Sequence, residues 1–333
     1  MTASAENRIE YLNPAQAARR LGVSAKALRL YEQRGLVDPV RTAAGWRAYG
    51  PDQMARAAEI ANLRALGLSL AQVARVIGGD PQDLAPALAA HQAALEDRLG
   101  KLSDAVAQVR DLRAALARGQ TPTAGDLAGL VSPGLAVAFD LPWPWGGERF
   151  ELSGIRPMTY ITGPLGSGKT RLAQRLAETL PGGVFLGLDR ALVGRADPVR
   201  VEATLAWLEE DGASRSEALT ALVVALEAEG VLVVDLVEQG LDQAAQAALI
   251  AHLRRRGPAA RPLFLMTRSN AILDLAAVGP DEAILFCPAN HSPPTLVAPW
   301  PGAPGYEAVA SCLASPEVRA RTEGLIALRP DAA

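Results

Sequence analysis

The sequence has 333 residues, of which 49% are hydrophobic and 21% charged, a composition that excludes an intrinsically disordered chain and predicts about two folded domains. Its apolar runs fall short of the roughly 18 residues that cross a bilayer, and its two cysteines are too few for a disulfide framework, so we expect a cytoplasmic protein with no membrane partner. The net charge of −3 is uneven, because residues 1–80 hold 11 Lys or Arg against 7 Asp or Glu, and this predicts that the amino-terminal part binds a polyanion.

The first predicted elements are two short helices and a hairpin. Asn13 followed by Pro14 marks a helix start, and Gly22 ends that helix. Ser24 then caps a second helix, "AKALRLYEQR". Two helices joined by a tight turn with a glycine predict a helix-turn-helix whose second helix enters the DNA major groove. The stretch "VDPVRTAAGWRAYG" has the turn residues of a hairpin with Gly45 at its tip, which predicts a wing.

Three segments of residues 11–79 carry a family resemblance. "LRLYEQRGL", then "GWRAY" after an arginine, then "LRALGLSLAQVARVI" follow one another in an order and spacing that resemble the MerR family of transcription regulators. The resemblance implies a winged helix-turn-helix in which Arg29, Tyr31, Arg41, Arg47 and Tyr49 meet the DNA backbone. Base edges would be contacted by residues of the second helix, namely Ser24, Ala25, Lys26 and Arg29. Packing of the wing onto the helices is the alternative role for the two tyrosines.

A long amphipathic helix is predicted over residues 82–118. Apolar residues recur at spacings of three, four or seven, which is typical of a coiled coil; they are Leu84, Leu88, Leu95, Leu99, Leu102, Val106, Val109, Leu112 and Leu116. The MerR resemblance implies an antiparallel coiled coil across a twofold dimer axis, double-stranded promoter DNA of pseudo-palindromic sequence, and RNA polymerase as a partner at the promoter. The following residues, 120–134, are rich in Gly, Pro and Thr and indicate a linker.

A strand, a glycine-rich loop and a helix are predicted from "MTYITGPLGSGKTRLAQRLAETL". The loop satisfies G-x-x-x-x-G-K-[ST], in which glycines let backbone N–H groups converge on a phosphate at a helix N-terminus. In this pattern the lysine reaches the outer phosphates and the hydroxyl binds Mg²⁺. We therefore expect ATP (or ADP) and Mg²⁺ as cofactors. The predicted loop residues are Gly163, Pro164, Leu165, Gly166, Ser167, Gly168, Lys169 and Thr170.

A buried strand that ends in Asp235 is predicted from "GVLVVDLVEQGLD". Its position suits a carboxylate that holds Mg²⁺ together with Thr170. With the glycine-rich loop before it, this segment resembles a divergent ABC-type ATPase. The resemblance implies a D-loop that ends at Asp242 and a signature segment that contains Ser214, both of which would contact nucleotide.

The resemblance also implies an aromatic side chain against the adenine. The stretch "LPWPWGGERF", some twenty residues before the loop, offers Trp143 or Trp145 for this role. Packing of the preceding segment against the domain is the alternative for both tryptophans.

Two departures from the ABC pattern concern hydrolysis. Leu236 occupies the place of the glutamate that polarises the attacking water, and Arg268 replaces the switch histidine. Loss of a positioned base costs about 10² to 10⁴ in rate. We therefore expect slow or absent hydrolysis, at most a weak ATPase, with Glu238 and Arg268 as the candidate catalytic residues and a solvated loop as the alternative setting for Glu238.

Together these segments predict a multidomain protein with an all-α winged helix-turn-helix head and coiled-coil helix, followed by an α/β P-loop domain. The predicted boundaries are 1–80, 81–119, a linker over 120–134, and 135–333. We expect a dimeric transcription regulator whose ABC-like domain binds ATP and Mg²⁺ as effector. The alternative is an ATPase or small-molecule kinase tethered to DNA, with "LRRRG" at residues 253–257 as its lid. A tail that senses another protein or a phosphorylated metabolite is a third hypothesis.

Overall fold

The computed structural model describes residues 11–42, 44–121, 135–190, 196–256 and 260–315. The chain divides into two compact units, residues 1–95 and 96–333. Of the predicted linker, all but the first two residues lie outside the described ranges. In the part of the chain that the structure describes, every helix is too short or too polar to cross a membrane.

The amino-terminal unit contains the predicted helices and hairpin. Its elements are α1 Pro14–Leu21, α2 Ala25–Gln33, β1 Val40–Arg41, β2 Arg47–Ala48, α3 Pro51–Ala65 and α4 Leu70–Ile77. The predicted start and end of α1 are confirmed, because the Asn13 side chain accepts a hydrogen bond from the Gln16 amide and Gly22 adopts a φ of 67°. β1 and β2 pair in antiparallel fashion as the predicted wing. The description of the head as all-α was therefore too narrow, since its wing is a small sheet.

A single helix of 34 residues, α5 Leu84–Ala117, follows the head. The apolar seam predicted for it is largely solvent-exposed within one chain: Leu88, Leu95, Leu99, Leu102, Val106, Val109 and Leu116 are all exposed. Such a helix is about 50 Å long, and an apolar stripe of that length is stabilised by packing against another surface.

Residues 135–315 form an α/β unit. Its strands are β3 Val137–Asp140, β4 Arg149–Leu152, β5 Met158–Thr162, β6 Val184–Leu186, β7 Leu232–Val234, β8 Leu263–Met266, β9 Glu282–Phe286 and β10 Thr295–Leu296. Its helices are α6 Lys169–Thr179, α7 Pro198–Glu210, α8 Glu217–Glu227, α9 Gln243–Arg254 and α10 Tyr306–Ser311. β3 and β4 form a separate antiparallel hairpin, while the other strands make one sheet in the order β10-β9-β5-β8-β7-β6.

Both faces of the main sheet are covered, because successive residues of a strand point to opposite sides. Tyr160 and Leu265 belong to a core with residues of α7, α8 and α9. Ile161 and Phe264 belong to a second core with residues of α6 and the β3–β4 hairpin. Burial on both faces accounts for the near-continuous apolar runs of β5, β7 and β8.

The sheet brings three loops to one edge. Among the described strands of this sheet, β5, β6, β7, β8 and β9 all run parallel to one another. β10 pairs with β9 in antiparallel fashion. The carboxyl ends of parallel strands meet at a single edge, which is where α/β sheets bind ligands. The segments that follow β5, β7 and β8 carry Lys169, Asp235 and Arg268, respectively.

Candidate functional site

The glycine-rich loop, residues 163–170, connects β5 to α6, and two of its glycines are required by close contacts. Gly163 has a φ of 154°, and a Cβ atom there would lie 2.2 Å from the carbonyl oxygen of Cys287. Gly168 caps α6 with a φ of 88°, and a Cβ atom there would lie 2.5 Å from the Trp145 ring. Side chains at either position would displace the loop, so its shape depends on both glycines.

Lys169 lies inside this loop, buried and surrounded by oxygen atoms. Its Nζ donates hydrogen bonds to the carbonyl oxygens of Gly163 at 2.8 Å and Pro164 at 2.5 Å, and to Ser167 Oγ at 3.2 Å. Burial lowers the pKa of Lys169, and the charge of Arg268 lowers it further, although Cys287 has an opposing effect. The ammonium group is thus held in place by neutral acceptors next to a second cation.

Thr170 and Asp235 meet across the sheet, although β8 separates their strands. The Thr170 hydroxyl donates to Asp235 Oδ2 over 3.2 Å. Burial raises the pKa of Asp235, whereas this hydrogen bond and the charge of Arg190 lower it. Two side-chain oxygens of a hydroxyl and a carboxylate are the donor types that Mg²⁺ prefers, so these residues fit the predicted ion.

Arg190 is part of this arrangement and was missed from the sequence. Its guanidinium donates to the backbone oxygens of Asp235, at 3.2 Å, and Leu236, at 2.6 Å. These bonds fix the turn after β7, in which Leu236 has a φ of 38°. Arg190 precedes Asp235 by 45 residues in the sequence, and the fold brings it to the turn.

A cleft of about 370 Å³ opens at this edge of the sheet. The cleft is lined by residues 165–171 of the loop and helix and by Trp143, Asp235, Leu236 and Arg268, among others. Lys169, Arg268 and Arg171 supply three cations against the one carboxylate of Asp235, which favours an anionic ligand. A volume of this size lies within the range of small-molecule sites.

The two tryptophans have different environments. Trp145 is 4% exposed, packs in the core with Phe139 and Leu172, and donates its indole N–H to the Ser292 carbonyl oxygen over 3.1 Å. Trp143 is 67% exposed and borders the cleft. Packing therefore accounts for Trp145, while Trp143 is the one placed to contact a ligand in the cleft.

The two candidate catalytic residues are joined to each other. Glu238 is buried, and its Oε1 accepts a hydrogen bond from the Arg268 amide over 3.0 Å. Its carboxylate therefore connects the turn after β7 to the end of β8, and the alternative of a solvated Glu238 is wrong. Arg268 and Leu236 both line the cleft.

Ser214 and Asp242 are exposed and do not border the cleft of their own chain. Asp242 instead caps α9, since its Oδ1 accepts a hydrogen bond from the Ala245 amide over 2.7 Å. The neighbouring Arg215 forms ion pairs with Glu202 and Glu209. The contact of Ser214 and Asp242 with nucleotide stays a prediction.

The arginines of "LRRRG" lie away from the cleft. Arg254 forms a bidentate ion pair with Glu282, the first residue of β9, and so stands at the amino-terminal edge of the sheet. Arg255 stacks on the Trp207 ring at 4.5 Å. Gly257 lies outside the described residues. These contacts give Arg254 and Arg255 structural roles and remove them as a lid over the predicted phosphates.

In the amino-terminal unit, α2 carries the residues predicted to contact bases. Ala25, Lys26 and Arg29 are exposed on this helix. Ser24 caps it by accepting a hydrogen bond from the Ala27 amide over 3.1 Å. Lys26 and Arg29 thus present two cationic side chains on the helix that a helix-turn-helix inserts into the groove.

The wing is attached to the end of α2 by one carboxylate. Glu32 accepts hydrogen bonds from Arg41 at 3.1 Å and from Arg47 at 2.5 Å. Tyr31 and Tyr49 are 4% and 1% exposed and belong to the core of the head. Packing therefore accounts for both tyrosines, and their contact with DNA stays a prediction. Glu32 was not singled out from the sequence.

The family match concerns the amino-terminal part of the chain. Residues 12–79 match the model of the MerR HTH family regulatory proteins. The chain is 39% identical over 67 residues to a Haemophilus influenzae protein named "Probable heavy metal-dependent transcriptional regulator", covering 20% of this chain and 52% of that protein. It is 31% identical over 108 residues to the HTH-type transcriptional regulator HmrR of Sinorhizobium medicae, covering 30% of this chain and 74% of that protein.

These matches define the amino-terminal unit as a MerR-type helix-turn-helix, and the chain belongs to the MerR family of regulatory proteins. It spans about half the length of the Haemophilus relative. Among the residues that the structure describes, no three His, Cys, Asp or Glu side chains come together as a metal site.

A solved structure of a bacterial Atm1-family ABC exporter with ATP bound is similar to 46% of this chain and to 37% of its own, with 14% identity and a TM-score of 0.35. A score this low establishes no shared fold.

Proposed function

We propose that this protein is a dimeric, DNA-binding transcription regulator whose carboxyl-terminal unit binds ATP with Mg²⁺ as its effector. The observation that carries the proposal is the convergence of Lys169, Thr170 and Asp235 in one cationic cleft of a chain with a MerR-type head. A helix-turn-helix does not need a phosphate-binding loop in order to contact DNA. Its presence in the same chain is explained if nucleotide controls the regulator.

Each residue of the cleft has a defined part in this proposal. The amides at the start of α6 and the ammonium of Lys169 bind the phosphates, and Lys169 exchanges its neutral acceptors for charged ones, which form stronger hydrogen bonds. Thr170 and Asp235 would hold Mg²⁺, which would offset the negative charge of the phosphates. Trp143 stacks on the base at the outer end of the cleft.

Hydrolysis in this site is slow or absent. Leu236 has no group that could accept a proton from water, and Glu238 is buried outside the lining of the cleft, with its Oε1 accepting a hydrogen bond from the Arg268 amide. A regulator needs its effector to bind two states with different affinity, and it does not need turnover. Slow hydrolysis would preserve the ATP-bound state long enough to affect transcription.

The dimer forms through the exposed stripe of α5. Residues such as Leu99, at 65% exposure, and Leu102, at 59%, would become buried against a second copy of the same helix. A twofold dimer presents two copies of α2, and it binds promoter DNA with two matching half-sites. RNA polymerase bound at the same promoter is the partner through which the regulator acts.

The experiment that tests the proposal is a titration of DNA from upstream of the gene with the full chain. Affinity is measured at fixed salt without nucleotide, with Mg-ADP and with Mg-ATP. We expect ATP to change the affinity or the footprint of the wild type and to have no such effect on Lys169→Ala. Arg175→Ala is the matched control, because it removes a cation from the same helix outside the lining of the cleft.

The outcomes separate the proposal from its alternatives. If nucleotide binds to the wild type and is turned over while DNA affinity stays unchanged, the carboxyl-terminal unit is an independent enzyme and the head only localises it. If Lys169→Ala and Arg175→Ala respond to ATP as the wild type does, the loop is not the sensor.

A further inference from the structure

The segment that follows β9, residues 287–292, packs against the glycine-rich loop, and we call it the β9 turn. His291 Nε2 in this turn lies 3.1 Å from the Gly166 carbonyl oxygen, in the middle of the loop. The Ser292 carbonyl oxygen accepts the indole N–H of Trp145 over 3.1 Å. The same indole ring packs against the last glycine of the loop. The β9 turn is therefore connected to the loop both directly and through a buried ring.

The backbone of His291 is held in an uncommon conformation. Its φ of 57° lies in the left-handed region, which non-glycine residues seldom adopt and in which asparagine, aspartate and histidine are the most frequent of them. The His291 amide donates to the Pro288 carbonyl oxygen over 3.3 Å, and the Ser292 amide donates to Asn290 Oδ1 over 3.1 Å. These two hydrogen bonds fix the direction from which the imidazole approaches the loop.

The hydrogen bond between His291 and Gly166 has one possible direction. A carbonyl oxygen can only accept, so Nε2 carries the hydrogen. The carbonyl belongs to the peptide group that Gly166 shares with Ser167, and in a trans peptide the C=O and the N–H point in opposite directions. By holding the oxygen on its own side, the imidazole directs the Ser167 N–H away from itself.

The Ser167 amide and the Lys169 ammonium converge on one atom. The Pro164 carbonyl oxygen accepts hydrogen bonds from Lys169 Nζ at 2.5 Å and from the Ser167 amide at 3.4 Å. The second distance exceeds the roughly 3.2 Å upper limit of ordinary N–H···O bonds, so this amide is only weakly paired. A phosphate oxygen in the place of that carbonyl would face both donors, and an ionised acceptor forms the stronger hydrogen bond.

Gly166 makes the orientation of this peptide depend on support from outside the loop. Its φ is 78°, and a Cβ atom there would have nothing within 4 Å. Because glycine is conformationally permissive and the space around it is open, local sterics do not determine which way the following peptide points. In the described part of the chain, the hydrogen bond to the Gly166 carbonyl oxygen comes from His291.

We propose that His291 is a positioning residue of the nucleotide site, which holds the peptide between Gly166 and Ser167 with its N–H directed at the phosphates. His291 acts through the loop and contacts no phosphate itself. The amide is then oriented before the ligand arrives, which lowers the cost of binding. This inference rests on the proposed nucleotide-binding function, and it adds to that site a residue 125 positions away from Gly166 in the sequence.

The experiment measures the affinity of the full chain for Mg-ATP by isothermal titration calorimetry at fixed pH and salt. His291→Gln and His291→Asn are the paired variants, since both carry an amide N–H donor. The amide nitrogen of glutamine corresponds to Nε2, whereas that of asparagine corresponds to Nδ1 and falls short of Gly166. We expect His291→Gln to bind Mg-ATP as the wild type does and His291→Asn to bind it about fivefold more weakly, the value of one hydrogen bond.

The same pair separates this role from a purely conformational one. Asparagine adopts the left-handed conformation more readily than glutamine, so a requirement for the backbone conformation alone predicts the opposite order of affinities. That order, or equal affinity of the two variants, would overturn this inference alone. Because His291 is partly exposed, both substitutions should leave the fold intact, which urea unfolding without nucleotide checks.

The wild type and Lys169→Ala test the function on which this inference rests. We expect the wild type to bind Mg-ATP and Lys169→Ala to lose most of that affinity, because its ammonium is one of the two donors that converge on Pro164. A wild type that binds no Mg-ATP, or Lys169→Ala that binds it as tightly as the wild type, would overturn the proposed nucleotide site and this inference with it.

Discussion

His252 makes the stability of the carboxyl-terminal unit sensitive to acid. It lies in the last turn of α9, with its ring 5.3 Å from that of Trp207. Its Nδ1 is buried, and in the part of the chain that the structure describes this atom has no hydrogen-bond partner. Burial, assisted by the charges of Arg255 and Arg256, lowers the pKa of His252 from 6.5 to about 4.

The sign of the effect follows from the direction of this shift. The folded state prefers neutral His252, so the contribution of this residue to the free energy of unfolding is fully present above pH 6.5. That contribution is lost as the pH falls toward 4, because in this window the unfolded chain takes up a proton at His252 and the folded chain does not. One pH unit in this window is worth about 1.4 kcal/mol. At pH 5, which is 1.5 units below 6.5, the loss from this residue is about 2 kcal/mol.

The assay is urea unfolding followed by tryptophan fluorescence at pH 7.5 and pH 5. Between pH 7.5 and pH 5 the free energy of unfolding should fall in both the wild type and His252→Leu. We expect the fall to be about 2 kcal/mol smaller in His252→Leu. Gln243→Leu, an exposed substitution on the same helix, should fall by as much as the wild type. Equal losses in the wild type and His252→Leu would refute the reasoning, because they would show that His252 charges equally in both states.

Three further predictions concern the proposed effector site and dimer. Leu236→Glu should raise ATP turnover at least about tenfold in a steady-state phosphate-release assay, because it supplies the missing base; an unchanged rate would mean that more than a base is absent. Leu99→Glu should dissociate the dimer in sedimentation velocity at concentrations where Gln108→Glu leaves it intact, since only the former places a charge in the apolar seam. Asp242→Ala should lower the free energy of unfolding by about 1 kcal/mol through loss of the α9 cap, while Asp242→Asn should keep both the cap and the stability. If Asp242→Asn nevertheless abolishes the response to ATP, Asp242 also acts through its charge.

Local patterns were sufficient to predict the elements that hold the site. The caps at Asn13 and Ser24 and the glycine at the end of α1 determine where two helices begin and end, and the signals for them are adjacent in the sequence. The glycine-rich loop was equally evident from its spacing. The close approaches that require its glycines were not, because they come from Cys287 and Trp145, which are distant in the sequence. The caps depend on backbone geometry that neighbouring residues determine.

Features that depend on distant parts of the chain were not predicted. Arg190 reaches the turn after β7 from 45 residues away, and Glu32 is joined to Arg47 only when the wing folds against α2. The choice between Trp143 and Trp145 was open in the sequence, because two tryptophans two residues apart have the same local signals. Packing against Gly168 accounts for Trp145, and the contact of Trp143 with adenine stays a prediction.

The contacts of Lys169 explain how a bound phosphate could be detected at all. In the described structure its ammonium holds two loop carbonyls and Ser167, so these groups are kept together by the lysine. A polyphosphate would compete for the same ammonium with charged oxygens, and we expect its binding to release the acceptors of residues 163–167. At the other end of the loop, Gly168 packs against Trp145. We therefore expect the conformational change on binding to lie between β5 and Gly168. This segment contacts His291, whose Nε2 lies 3.1 Å from the Gly166 carbonyl oxygen.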